Sequence, residues 1–296
     1  MALDPKVKPL LERLSKVVAP REDPSEFRRV RNQLFVSLYP RREAGNVEDT
    51  SFQGRNGEVK MRIYKGGRGI ALYFHGGGFV YGNLDTHDNI CRLISSLSGV
   101  TLVAVDYRLA PEHKFPAPVI DAEDALDWVI SSEAKLDNNS KIGLIGDSAG
   151  GNLAAVLSQE RRDKVKFQAL IYPVTDFKDD SGSMREFASG YFLTADTMKW
   201  YNAQYLREGD EEDPRASPIR GKLNGLPRAL VVTAEYDPLR DQGEKYAQAL
   251  KEAGNEAVSV RYGGMIHGFV SFYPFLDPGM EAIVHVAGSL RRWLGE

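Results

Sequence analysis

Residues 146–150 read Gly-Asp-Ser-Ala-Gly, the G-x-S-x-G spacing that puts a serine on a tight turn between a strand and a helix. The preceding Lys141-Ile142-Gly143-Leu144-Ile145 is short and apolar, as a buried parallel strand is. The following Gly151-Asn152-Leu153-Ala154-Ala155-Val156-Leu157 suits a helix. A serine on such a turn has a strained backbone that the flanking glycines make room for, and its hydroxyl stands at the positive end of the next helix. Its chemistry would be nucleophilic attack, which needs a base and an acid to orient the base.

Of five histidines, only His267 and His285 follow Ser148, and a serine turn of this kind uses the chain order serine, acid, histidine. His285 lies inside the helical stretch Ala282-Ile283-Val284-His285-Val286-Ala287 and reads as a packed or surface residue. His267 lies in Gly263-Gly264-Met265-Ile266-His267-Gly268-Phe269, a glycine-rich loop expected just after a strand, where a ring can be aimed at a site. Two carboxylates compete for the orienting role. Asp237 follows the strand Ala229-Leu230-Val231-Val232-Thr233-Ala234, and Asp176 follows the strand ending near Tyr172. The carboxyl end of a parallel strand faces the ligand crevice; this placement favours Asp237 and leaves Asp176 as its rival. Asp241 opens the next helix, where an N-cap is its expected role.

An attacked carbonyl also needs donors for its developing oxyanion. His75-Gly76-Gly77-Gly78 directly follows the buried strand ending at Phe74. Consecutive glycines leave backbone N–H groups bare and able to approach a substrate oxygen, alongside the N–H of Ala149. His75 itself is expected to anchor the loop and to move no proton.

The elements that must position these residues alternate in type. Apolar residues at helical spacing predict helices from Lys6 to Val18 and from about Ser25 to Leu38, punctuated by Pro20, Pro24 and Pro40. They could pack on the body of the domain or cap a site. From Val47 the pattern changes to strands: Glu58 to Tyr64 alternates, and Ile70 to Phe74 is apolar throughout. Strands then follow at Val100–Val105, Lys141–Ile145, Phe167–Tyr172, Arg228–Ala234 and Ala257–Tyr262. Helices are expected at Pro118–Ile130, Gln242–Ala253 and Met280–Leu294. This alternation predicts an α/β fold with a mostly parallel central sheet and helices on both faces. The interval from Tyr172 to Arg228 is far longer than a crossover needs, so it reads as an insertion, expected to be helical and able to join the N-terminal helices as a lid.

The 296 residues are 42% hydrophobic and 27% charged, with a formal net charge of -3. That is a globular composition, and nothing in it points to nucleic acid or an anionic membrane as partner. Neither G-x-G-x-x-G nor a P-loop occurs. The single cysteine, Cys91, reads as a small buried apolar residue. The first residues lack the apolar core of a secretory signal and no run is long enough to span a bilayer, so the expected compartment is the cytoplasm and the glycosylation pattern Asn138-Asn139-Ser140 is expected to be idle. The strand Ala257–Tyr262 reads as the sheet's edge, where it could pair with a second copy as a homodimer.

Taken together, His75-Gly76-Gly77-Gly78-Phe79, Asp106-Tyr107-Arg108-Leu109-Ala110-Pro111-Glu112, Gly146-Asp147-Ser148-Ala149-Gly150-Gly151-Asn152, Asp237-Pro238-Leu239-Arg240-Asp241 and His267-Gly268-Phe269 stand in the order of a known family. From about residue 70 to its end the chain resembles the hormone-sensitive-lipase-like esterases of the α/β-hydrolase superfamily. The resemblance implies the α/β-hydrolase fold as one domain, residues 1–296, with a helical cap from about 1–40 and about 177–217. It implies hydrolysis of carboxylic esters with no cofactor and no metal. It implies Ser148, Asp237 and His267 as the triad, which selects Asp237 over Asp176. It also implies Gly77, Gly78 and Ala149 as oxyanion donors, with Gly76 as scaffold. The insertion mixes aromatics with charges and holds no long apolar lid, so soluble esters of short to medium acyl chain are the expected substrates. Two other readings share the fold: an amidase or deacetylase with the same triad, and a non-catalytic small-molecule receptor, in whose known plant examples the catalytic histidine is replaced.

Overall fold

The computed structural model describes residues 2–14, 23–38, 45–131, 136 and 141–295. Val17, Val18, Pro20, Pro40 and the Asn138-Asn139-Ser140 pattern lie outside the described residues. Among the described residues, eight strands form one sheet: β1 (Val47–Gly54), β2 (Gly57–Tyr64), β3 (Ile70–Phe74), β4 (Thr101–Asp106), β5 (Ile142–Asp147), β6 (Val165–Ile171), β7 (Arg228–Tyr236) and β8 (Ala257–Ile266). Their order is β1-β2-β4-β3-β5-β6-β7-β8. The hairpin β1–β2 is antiparallel and β2 meets β4 antiparallel, while every pairing from β4 onward is parallel. The parallel part is covered on both sides, which is why β3 and β5 are buried at every position and read as unbroken apolar runs. The antiparallel β1 alternates between exposed and half-buried residues instead.

The helices are α1 (Val7–Leu14), α2 (Pro24–Ser37), α3 (Asp88–Ser98), α4 (Ala117–Ile130), α5 (Ala149–Glu160), α6 (Gly182–Glu186), α7 (Ala195–Tyr205), α8 (Arg240–Glu252) and α9 (Asp277–Leu294). The insertion between β6 and β7 therefore holds α6 and α7, joined by turns. Two element boundaries differ from the sequence reading. The N-cap position of α8 is Leu239, and Asp241 sits in the helix's first turn, where its side chain accepts from the Ser183 N–H of α6 at 2.8 Å. Strand β8 also continues through Gly263 and Gly264 to Ile266, because the β7–β8 pairing shifts register after Ala234 and resumes at Tyr236↔Ile266. His267 is thus the first residue after a strand, at the carboxyl end of the sheet.

Leu72, Leu144 and Val231 are fully buried at the centre of the sheet; each such side chain contributes about 1.5–3 kcal/mol relative to exposure. Cys91 is buried in α3, and burial pushes its thiol pKa up. Among the described residues, no helix is long and apolar enough to cross a membrane.

Candidate active site

Strand β5 ends at Asp147 and α5 begins at Ala149, leaving Ser148 alone on the turn between them. Its backbone is at φ 55° and ψ −116°, outside the ordinary regions for a residue with a side chain. The turn holds because Ser148 N–H donates to Ile171 O at 2.8 Å and Asn152 N–H donates to Ser148 O at 3.1 Å. The two glycines of the motif are explained by close approach. A Cβ on Gly150 would lie 1.9 Å from Phe74 O, and one on Gly146 would lie 2.1 Å from Gly150 O.

The next two residues come from the far side of the sheet. Asp237 follows β7, is fully buried, and has one carboxylate oxygen fixed by the Leu239 N–H at 2.8 Å. Its other oxygen lies 2.8 Å from His267 Nδ1. His267 Nε2 lies 3.0 Å from Ser148 Oγ. With the carboxylate accepting from Nδ1–H, Nε2 carries the lone pair that faces the serine hydroxyl. The Tyr172 ring packs 4.7 Å from the His267 ring and limits its movement. The structure therefore brings Ser148, Asp237 and His267 into one hydrogen-bonded line. Asp176 is elsewhere: its side chain accepts from Lys178 N–H and from Arg220. His285 lies on α9, beside a shallow surface depression lined by Asp277 and Glu281.

Gly76, Gly77 and Gly78 line the same pocket as Ser148 and His267. Among the described residues, the N–H groups of Gly77, Gly78 and Ala149 donate to no protein acceptor. Gly78 has φ +60°, and a Cβ there would lie 2.5 Å from the Tyr201 ring, so the loop passes directly beneath α7. His75 is buried below the loop. Its Nδ1 lies 2.8 Å from Gly76 O, and its ring stacks on Tyr107 at 4.3 Å. Burial, with the neighbouring His87, pushes the His75 pKa down to about 3, so the ring stays neutral and acts as an anchor.

The walls of the pocket are mostly apolar. Phe35 and Arg31 come from α2, and Phe177, Phe192, Met198 and Tyr201 come from the insertion. Spacing assigned none of these individually to the pocket. It also passed over Asp147 and His87, both in the pocket wall, although Asp147 stood inside the G-x-S-x-G motif.

Comparison with known proteins bears on the fold and the family. A model of the alpha/beta hydrolase fold matches residues 71–271. The chain is similar to the carboxylic ester hydrolase LipN of Mycobacterium tuberculosis, at 42% identity over 248 residues, covering 77% of this chain and 65% of that protein. It is similar to an arylesterase of Saccharolobus solfataricus, at 37% identity over 284 residues, covering 91% of this chain and 93% of that one. Among solved structures, a hyperthermophilic esterase from the archaeon Pyrobaculum calidifontis superposes with a TM-score of 0.94 at 44% identity, covering 99% of each chain. By the extent of these matches, the chain belongs to the α/β-hydrolase fold family, whose hormone-sensitive-lipase-like esterases its motifs resemble.

Proposed function

We propose that this protein is a serine carboxylesterase acting on short- to medium-chain esters through an acyl-enzyme. The observation that carries the reading is the line from buried Asp237 through His267 to Ser148, with hydrogen-bond distances of 2.8 and 3.0 Å, opening on an apolar pocket. The esterases to which the chain is similar support it.

In the proposed cycle, His267 takes the Ser148 proton as Oγ attacks the ester carbonyl. Asp237 fixes the tautomer and stabilises the imidazolium. The N–H groups of Gly77, Gly78 and Ala149 receive the oxyanion; losing one such donor typically costs about 10²–10³ in rate. His267 returns the proton to the departing alcohol. Water, activated by the same ring, then attacks the acyl-enzyme and frees the acid.

The cap belongs to this reading. Of the N-terminal segment, α2 contributes Arg31 and Phe35 to the pocket wall, and the insertion contributes the rest of the roof. Aromatic rings and Met198 close the roof over the serine, which favours acyl chains of limited length.

The test is a series of p-nitrophenyl esters of increasing chain length, with Ser148→Ala alongside. Turnover by the parent, falling about a thousandfold or more in the variant, is the expected result. The optimum should lie among the short and medium chains. A folded parent that turns over no member of the series overturns the reading.

A further inference from the structure

Three successive glycines give the oxyanion loop no side chain by which to fix its own peptide planes. Within the loop, Gly77 O accepts from the Val80 and Tyr81 N–H groups, and Gly76 O lies 2.8 Å from His75 Nδ1; the entry to the loop, at the Gly76 N–H, is held from outside. Strands β3 and β5 are neighbours, with Phe74 paired to Gly146, so Gly76 and Asp147 emerge together just past their ends. The Asp147 carboxylate lies flat against Gly76. Its Oδ1 accepts the Gly76 N–H at 3.0 Å and the Tyr73 O–H at 2.7 Å, and its Oδ2 would lie 2.3 Å from a Cβ placed on Gly76. His87 Nε2 stands 3.5 Å from Oδ1, while its Nδ1 is held at 2.8 Å from Thr86 Oγ1. Every member of this group is buried.

We propose that Asp147 is a positioning residue for the reaction: by holding the Gly76 N–H, it fixes where the glycine loop enters the site and so places the Gly77 and Gly78 N–H groups relative to Ser148. The inference rests on the reading of Ser148 as nucleophile. Asp147 is the residue before Ser148 and rides on a fully buried strand. One residue therefore registers the nucleophile and the oxyanion donors against each other, where a displacement of about 1 Å is enough to cost much of the rate. Burial opposes its ionisation, but the neighbouring His87 and the bonds from His87 and Tyr73 outweigh that, leaving the carboxyl below its usual range. An ionised acceptor makes stronger bonds to N–H and O–H donors than a neutral one.

The role predicts a specific kinetic pattern. Asp147→Ala removes the acceptor and should lower kcat on p-nitrophenyl butyrate about a hundredfold, with KM within about threefold of the parent. Affinity for a trifluoromethyl ketone, which binds as a hemiketal oxyanion, should fall by a similar factor. Asp147→Asn keeps an oxygen acceptor for Gly76 and Tyr73 and should restore kcat to within about tenfold of the parent. If the alanine variant does not fold, Asp147→Ser, whose shorter side chain cannot reach Gly76, should give the same losses. A folded alanine or serine variant with parental kcat overturns the proposal. So do equal losses in the alanine and asparagine variants with ketone affinity unchanged. Parental turnover by Ser148→Ala would instead defeat the nucleophile assignment, so the two failures are distinguishable.

Discussion

That Ser148, Asp237 and His267 would come together was legible in the sequence because each follows a strand, and strand ends in a parallel sheet face one crevice. What spacing could not show was how carboxylates of similar placement divide their work. Asp176 is spent on Lys178 N–H and Arg220, and Asp241 joins α8 to α6 through Ser183. Glu160 carried no signal at all, since its environment is assembled from distant segments. Burial, with Glu123 beside it, pushes the Glu160 carboxyl up to about 8. A carboxyl whose folded pKa lies above its unfolded value near 4.3 binds its proton more tightly when folded. Its contribution to stability is therefore present below about pH 4 and is lost as pH rises toward and through 8. Glu160→Gln mimics the protonated form. The difference in denaturation midpoint between variant and parent should move in the variant's favour as pH is raised from 6 to 9. A constant difference across that range would contradict the assignment.

At the scale of elements, the parallel strands were read closely because burial on both faces writes them as continuous apolar runs; the end of β8 was not, because a register shift against β7 carries it through two glycines. The family motifs also turn out to do much of their work in joining elements. Arg108 of the Asp106–Glu112 motif bonds Asp121 of α4 at 2.6 Å, and Glu112 holds Arg28 of α2 at the same distance. Arg28 also donates to Val80 O and Ala110 O, fixing α2 above the glycine loop. Asn152, fully buried in α5, donates to Val174 O and Ala216 O and so ties the insertion to the helix behind the serine. Such ties cannot be inferred from spacing, since each partner lies far away in sequence. The contact of α5 with β3 gives a direct test. A Cβ on Gly150 would meet Phe74 O at 1.9 Å, and neither backbone can yield without moving an element. Gly150→Ala is expected to destabilise the fold by about 3 kcal/mol, at the upper end of overpacking costs. Urea denaturation should show it as a lower midpoint at an unchanged m-value, and an unshifted midpoint would refute the contact.

The molecule as a whole leaves two sheet edges. Strand β1 alternates in the manner of a solvated edge, while β8 carries Val258, 55% exposed, beside half-buried Val260 and Tyr262. An open edge with apolar side chains is a template for another strand unless charge or covering chain blocks it. Part of β8 is so protected: Arg261 is engaged with Glu244 of α8, and Asp4 N–H donates to Gly264 O, laying the N-terminal chain against the strand's last residues. The first half of β8 has Val258 in the open. Pairing of two copies there would continue the sheet and leave both pockets, which lie at the carboxyl ends of the strands, open to substrate. Light scattering at working concentration is expected to give the mass of a dimer, and Val258→Lys, which places charge on the edge, should shift it to a monomer with ester hydrolysis retained. A monomeric mass for the parent would remove the edge as an interface. A dimer unaffected by Val258→Lys would move the interface elsewhere on the surface.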